Sequence, residues 1–452
     1  MHANNLHRIS ICVLLLLSLR SPAYALTLGE AIELAWRNDP TFIAAQANLN
    51  ISRERASQTS AGILPQVTVS ANTNSNWRNY DLFTSPPSGA APTETFNSNS
   101  AQISLTQPLW KRSNMIAMNQ ADLNVAQADF QLKSAAQELL VRLAQAWFDV
   151  MLAQDGMIPA EIQIQAARQQ LEVARHGHER GVLSRTELED AHAKFELALA
   201  EQAAARSELE IKLASLEQII GPVVFSPPQL SDHIATPRLE IQSLDEWLAQ
   251  AETGNPTLLA MQRALEASDE EIRKQRAGHE PTLDIVASHT KSVQGAGVSG
   301  GQLGFESRQS VLGIQFNMPL YSGGGQNAKV REAVASREKA RQEREAARRN
   351  AQLAVKQAWF TWRASQIREV SGLRMLQSAE LTFKGEQSAR ARGVKSELDV
   401  LQAQQKNVAA LRDWHKARYE SILSQIRLKA ACGQLNGNDL AEFEQVFIST
   451  QN

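Results

Sequence analysis

The chain is poor in the residues that build disulfides, metal centres and membrane-spanning helices. It has two cysteines in 452 residues. Cys12 lies in an N-terminal apolar stretch, so removal of that stretch leaves Cys432 alone and excludes an intrachain disulfide. Cys432 sits where a small core residue would fit, not a ligand or a nucleophile. The net charge is −2, which gives no sign of a polyelectrolyte partner such as nucleic acid. No apolar run reaches the length of a membrane helix. There is no nucleophile–base constellation, metal-ligand spacing or phosphate loop, so no catalytic residue, cofactor or metal site is expected. His176 and His178 are two apart on a helix, where side chains do not face each other, and make a poor metal pair. An exported chain with no membrane helix is soluble, surface-attached or a β-barrel.

Export itself is expected from the N-terminus. His7-Arg8 is followed by an apolar run, Ile9 to Leu19, of about 11 residues, too short to span a bilayer. Ala23-Tyr24-Ala25 has the small-x-small form of a cleavage site. Residues 1–25 are read as a signal peptide and Leu26 as the mature start. No cysteine follows that site to carry a lipid.

What the chain does have is two copies of one unit. Asn38-Asp39-Pro40-Thr41 recurs as Gly254-Asn255-Pro256-Thr257, and Pro65 as Pro281, both prolines 216 positions on. Gln145-Ala146-Trp147-Phe148 recurs unchanged as Gln357-Ala358-Trp359-Phe360, Arg180-Gly181-Val182 as Arg392-Gly393-Val394, and Gly221 as Gly433, all 212 positions on. Gln107-Pro108-Leu109-Trp110 answers to the stretch around Pro319-Leu320-Tyr321. Landmarks kept in order at nearly one offset mark a duplicated module. The first repeat covers 26–221 and the second 240–447, with a proline-rich linker at 222–239 and a tail at 448–452.

Each repeat reads as helix, strand, loop, strand, long helix, turn, long helix. The spacing predicts a helix from Leu28 to about Ala61, a strand alternating at Val67, Val69 and Ala71, a loop over Asp81 to Ser98, and a strand at Ile103, Leu105 and Leu109. From Lys111 to about His178 the only proline is Pro159. Leu132, Ala136, Leu139, Leu143, Ala146 and Val150 form a coiled-coil seam there. A return helix runs from Thr186 to Ile220, with Leu209, Leu213, Leu216 and Ile220 on one face. The second repeat has a strand at Leu283, Ile285 and Ala287, a loop from Lys291 to Gln309, a strand at Leu312, Ile314, Phe316, Met318 and Leu320, and helices over Gln326–Ala391 and Glu397–Ala431. Trp147 and Trp359 read as core. A helix of about 70 residues is roughly 100 Å long, longer than an ordinary domain.

Four strands cannot close a membrane barrel, whose smallest examples have about eight, and an open sheet would leave its edges unpaired. Several chains must therefore share one barrel. Trp77, Tyr80, Trp110 and Tyr321 lie near strand ends, where an aromatic girdle belongs, although any one of them could equally be loop packing.

Leu26-Thr27-Leu28-Gly29-Glu30-Ala31-Ile32 with Asn38-Asp39-Pro40, then Leu64-Pro65-Gln66, the strand ending Thr106-Gln107-Pro108-Leu109, and the duplicated helical hairpin resemble the TolC family over Leu26 to about Phe447. The resemblance implies a mainly α fold with a membrane β-barrel: a homotrimer whose chains share a 12-stranded β-barrel and a 12-helix α-barrel. It implies an outer-membrane exit duct spanning the periplasm of a Gram-negative cell, embedded in outer-membrane lipid. A periplasmic adaptor (membrane fusion) protein and an inner-membrane ABC or proton-driven transporter would supply its cargo, and no nucleic acid is involved. Within the family the pattern looks more like type I secretion of an unfolded protein. Multidrug or metal efflux is the alternative, and a periplasmic coiled-coil adaptor fits less well because such proteins are not duplicated.

The same resemblance implies roles for residues at the two hairpin tips. Arg180-Gly181-Val182 and Arg392-Gly393-Val394 match the tips that meet the adaptor, although glycine there also ends a helix in its own right. Asp399, six past its tip glycine, matches an acidic ring facing the pore. Gln402 stands where a second acidic ring would be. Lys395 matches a residue that ties neighbouring hairpins, with Thr186 and Glu187 as its partners, and Arg390 occupies the place of a tyrosine latch. For Asp399 and Glu187 a solvated helix face is the competing reading.

Overall fold

The structure is a computed structural model that describes residues 24–79, 93–222, 225–226, 229–230, 243–295, 304–441, 443 and 447–448. The expected signal segment before Tyr24, Tyr80, most of the linker and the end of the tail lie outside the described residues. The helices are α1 (Leu28–Asn38), α2 (Pro40–Ser60), α3 (Arg112–Glu179), α4 (Arg185–Ile220), α5 (Leu244–Gly254), α6 (Pro256–Arg276), α7 (Gly325–Ala391), α8 (Glu397–Ala431) and α9 (Gly437–Ala441). The strands are β1 (Tyr24–Ala25), β2 (Gln66–Asn79), β3 (Thr93–Trp110), β4 (Phe225–Ser226), β5 (Gln229–Leu230), β6 (Thr282–Gln294), β7 (Phe305–Asn317) and β8 (Phe447–Ile448). Among the described residues no helix is long and apolar enough to cross a membrane.

The elements gather into two compact units. One comprises the chain up to Ala47, Phe130–Leu259 and everything from Ala347 on; the other comprises Asn48–Asp129 and Ala260–Ala346. In the first, α3 carries the main core. Leu139, Leu143, Trp147 and Val150 are buried against Ile422 and Ile426 of α8, Leu216 and Ile220 of α4, and Leu28 and Ala31 of α1. Leu132 and Ala136 complete the seam as partly buried neighbours. A smaller core joins Trp247, Ala251, Val355, Trp362, Leu428 and Cys432. Trp147 is core as the sequence suggested, and Trp359, half-buried, packs against the smaller core. A polar seam also links α3 to α8: Asp155 Oδ2 accepts from Tyr419 Oη at 2.9 Å and lies 3.0 Å from His415 Nδ1.

The recurring Asn-Pro landmark has a structural cause. A helix expected to run unbroken from Leu28 is split at Asp39, whose backbone is extended ahead of Pro40. Asn38 Nδ2 donates to Ile220 O at 2.6 Å and so caps the last turn of α4. Asp39 Oδ1 accepts from Phe42 N–H at 2.7 Å and caps the first turn of α2. In the second repeat Asn255 does both jobs, donating to Ala431 O at 3.0 Å and accepting from Leu258 N–H at 3.0 Å. The glycines following these C-termini are equally fixed. Gly433 has φ +79, and a side chain there would meet Gly254 O at 2.1 Å.

The second unit holds one antiparallel sheet in the order β2-β3-β6-β7. Its strands outrun the expected ones. β3 begins at Thr93 and β6 and β7 reach Gln294 and Phe305, so much of both expected loops is strand: serine, threonine and asparagine extend the ladder although they give no apolar alternation. The register sorts the side chains into two faces. Val67, Val69, Leu105, Ile103, Leu283, Ile285, Ala287, Leu312, Ile314 and Phe316 share one face. Thr68, Ser70, Asn72, Asn74, Ser104, Gln102, Ser100, Ser288, Thr290, Gln309 and Gln315 share the other. Leu312 is 80% exposed and Ile314 70%, so the apolar face is uncovered in the single chain. The linker, expected to lack regular structure, supplies two short pairings: β4 with β1 in parallel, at the expected cleavage site, and β5 with β8.

Candidate functional site

The two hairpin tips, at the α3–α4 and α7–α8 turns, share one backbone design. Gly181 N–H donates to His178 O at 2.9 Å and Val182 N–H to Gly177 O at 2.8 Å; Gly393 N–H donates to Arg390 O at 2.8 Å and Val394 N–H to Ala389 O at 3.0 Å. This pair of bonds ends a helix in a left-handed residue, and both glycines have φ +73. A side chain on either glycine would meet nothing, so conformation alone requires glycine there. The following valines, Val182 and Val394, are 77% and 73% exposed, and Arg180 and Arg392 are exposed beside them. Each tip thus presents an uncovered apolar side chain next to a guanidinium.

The return helices open on capping boxes. Ser184 Oγ accepts from Glu187 N–H at 3.2 Å, and Glu187 Oε2 accepts from Ser184 N–H at 2.7 Å and Ser184 Oγ at 2.8 Å. Ser396 and Asp399 repeat this, with Asp399 Oδ2 accepting from Ser396 N–H at 2.9 Å and Ser396 Oγ at 2.7 Å. Hydrogen bonds from these serines hold both carboxyls below their ordinary values of 4.5 and 3.8. The signal was present in the sequence as Ser-x-x-Glu and Ser-x-x-Asp. Each acid expected at the gate is therefore also the acid of a helix cap.

The side chains binding the two tips differ. At the first tip Leu183 packs onto Gly177, where even a β-carbon would approach it to 2.5 Å, and His178 Nδ1 lies 3.2 Å from Leu183 O. At the second tip the equivalent positions are Ala389 and Lys395, and ion pairs replace packing. Lys395 Nζ is 3.5 Å from Glu386 Oε2, and Arg390 pairs with Glu397. Lys395 thus meets Glu386 in its own hairpin, and the chain does not bring it to Thr186 or Glu187. Thr186 is exposed on the first turn of α4 and Gln402 on the second turn of α8. Glu386 and Glu397 were missed by sequence reading because nothing in their spacing separates them from other surface acids.

Among the described residues no group of three His, Cys, Asp or Glu side chains is placed to hold a metal. Burial pushes the Cys432 thiol up to about 12.

The outer membrane efflux protein family model matches residues 31–222 and 247–434. The chain is 29% identical to the alkaline protease secretion protein AprF of Pseudomonas aeruginosa, over 96% of this chain and 90% of that one. It is 26% identical to the outer membrane protein TolC of Vibrio cholerae, over 94% of each. The Campylobacter jejuni CmeC outer membrane channel superposes with a TM-score of 0.72 over 95% of this chain and 93% of that one, at 15% identity. Two matched segments, one in each repeat, and relatives aligned along nearly the whole length place this chain in the outer membrane efflux protein family.

Proposed function

We propose that three copies of this chain form the outer-membrane exit duct of a tripartite export system, and that its cargo is an unfolded secreted protein. The observation that carries the duct is the sheet. In their helix-side halves the four strands gather most of their apolar side chains on one face and most of their hydroxyl and amide side chains on the other, Val286 and Val311 being exceptions, and β2 and β7 have free edges within the chain. A sheet of this kind suits a barrel with lipid outside and water inside, closed when β7 of one copy pairs with β2 of the next. Three copies give twelve strands. Trp110 and Tyr321 at the helix end of the sheet are exposed, as a girdle at that interface requires; Trp77, also exposed, stands beyond the other edge of the band.

The paired tips would meet a periplasmic adaptor through Val182, Val394 and their neighbouring arginines, and an inner-membrane transporter would feed the cargo. The helix caps and ion pairs at the tips would hold the resting gate, with Asp399 contributing negative charge to the pore. Support for a protein cargo comes from relatives named as protease secretion proteins, AprF and PrtF of Dickeya chrysanthemi, the latter 27% identical. The match to the efflux protein BepC of Brucella suis at 24% keeps small-compound efflux as the second reading.

Two measurements test the proposal. Light scattering of detergent-solubilised protein should give three times the chain mass, and a monodisperse monomer would remove the shared barrel. Deletion of the gene in its host should abolish secretion of a co-encoded protease or toxin while leaving drug tolerance unchanged; the reverse pattern would favour small-compound efflux.

A further inference from the structure

The apolar face of the sheet gives way on β6 and β7 to His289 and Ser310, which pair at 2.8 Å, and the row beyond them is charged. The register aligns Ala71, Ala101, Lys291 and Arg308 across the four strands. On the helix side of this row the face is first Val69, Ile103, His289 and Ser310, and then Leu312, Ile314 and Phe316. On the hairpin side it is Thr73, Asn99, Val293 and Glu306. Eight residues separate Phe316 from Arg308, which is roughly 27 Å of strand and about 20 Å of height at a tilt of about 40°. A barrel's apolar band is about 25 Å tall, so the charged row lies at its outer rim.

Three observations converge on this row. Lys291 and Arg308 face each other directly across the β6–β7 pair. Glu306 stands against both, 3.2 Å from Lys291 Nζ and 2.8 Å from Arg308 Nη2. One carboxylate balances one of the two cations and leaves one positive charge in excess. Beside Lys291 the small side chains of Ala71 and Ala101, with Thr73, Asn99 and Val293, leave a shallow hollow of about 410 Å³. The wall of the hollow is apolar next to the bilayer core and cationic at its rim. A group that fits this arrangement is amphiphilic, with an acyl chain to lie over the alanines and an anion to meet the excess charge.

We infer that this row is a lipid site, occupied by a phosphate-bearing glycolipid of the outer leaflet, with its phosphate between Lys291 and Arg308 and an acyl chain in the hollow over Ala71 and Ala101. The inference rests on the barrel reading above. It also accounts for two cations on a lipid-facing surface, where an unpartnered charge is costly within the band and tolerated at its edge.

Native mass spectrometry of the purified trimer tests it, using a bisphosphorylated lipid A, the same glycolipid with its phosphates removed, and phosphatidylglycerol. The parent trimer should retain the bisphosphorylated glycolipid about five-fold better than a Lys291→Gln, Arg308→Gln double variant, the size of one exposed charge pair. Glu306→Gln should raise retention, and Lys291→Arg should keep it. Equal retention of the dephosphorylated glycolipid, or of phosphatidylglycerol at the same concentration, would overturn the assignment, as would equal retention by parent and double variant. A chain that forms no trimer at all would instead remove the barrel reading on which the site depends.

Discussion

Asp39 is almost wholly buried and receives both arms of Arg142, at 3.1 and 3.2 Å, while also capping α2. Arg142 is 35% exposed, so removing Asp39 leaves a partly hydrated charge and an uncapped helix end, at a cost of about 2 kcal/mol. Asp39→Ala should therefore lower the thermal midpoint of the purified protein clearly. Asp39→Asn should recover only the part of the loss that belongs to the cap, because it can still accept from Phe42 N–H but leaves Arg142 without its partner; the second repeat uses Asn255 at this place, and the position equivalent to Arg142 there is Ala354. Equal losses for the two variants would mean that the ion pair, not the cap, is the whole effect. Cys432 offers a second test at this scale. Its sulfur is fully buried and lies 3.5 Å from Trp247 O, and its thiol is pushed up to about 12. A maleimide at pH 7.5 should leave Cys432 of the native protein unlabelled and label it after denaturation. Rapid native labelling would show that the turn after α8 opens readily.

At the scale of the element, the caps of α4 and α8 tie helix geometry to pH. Glu187 and Asp399 titrate below their ordinary values because Ser184 and Ser396 donate to the ionised forms. A depressed carboxyl contributes stability that is complete above its unfolded value and lost as pH falls through the lower folded value. The tips should thus be insensitive to pH from neutral down to about 4.5 and loosen below it. Protection factors for amides at 186–188 and 398–400 should fall in that acid window, and Ser184→Ala with Ser396→Ala should show low protection at every pH. Protection that fell already between pH 7 and 5 would show that the two capping carboxyls do not set the stability of the tips. These caps were readable in the sequence as spacing, just as Gly181 and Gly393 were readable as helix ends, because local hydrogen bonds depend on neighbours in the chain. The long helices and the β7 alternation were legible for the same reason. The outer halves of β2, β3, β6 and β7 were not. Asn74, Asn76, Ser98 and Ser292 have turn-like chemistry and become strand only because a partner strand lies across from them. Glu386 and Glu397 were hidden too, since an ion pair across a turn depends on how two helices meet.

At the scale of the whole molecule, the duplication itself says where copies should touch. Within one chain α3 packs along α8: Phe148 stacks on Tyr419 at 5.6 Å, Asp155 meets His415 and Tyr419, and Gln163 Oε1 accepts from Gln405 Nε2 at 2.6 Å. Shifted by the repeat offset, the α3 positions become Phe360, Ile367 and Met375 of α7, and the α8 positions become Ser207, Ala203 and Ala193 of α4. Phe360, Ile367 and Met375 are 58%, 68% and 68% exposed in the single chain, and with Leu353 the first two follow a seven-residue spacing, the seam of one helix on another. Their counterparts on α4 are small. Large apolar knobs facing alanine and serine make a complementary pair, and a ring of alternating repeats closes when α7 of each copy lies on α4 of the next. Phe360→Asp with Ile367→Asp should therefore abolish the trimer in light scattering and leave the helix content of the monomer unchanged, while Ile367→Leu should keep the trimer. Lys395→Ala with Glu187→Ala should instead preserve the trimer and, on the gate reading proposed above, raise single-channel conductance, since those groups lie at the tips and not along the seam. A trimer that survives both aspartates would mean that the strands alone hold the copies together and that the exposed face of α7 is turned toward something other than α4.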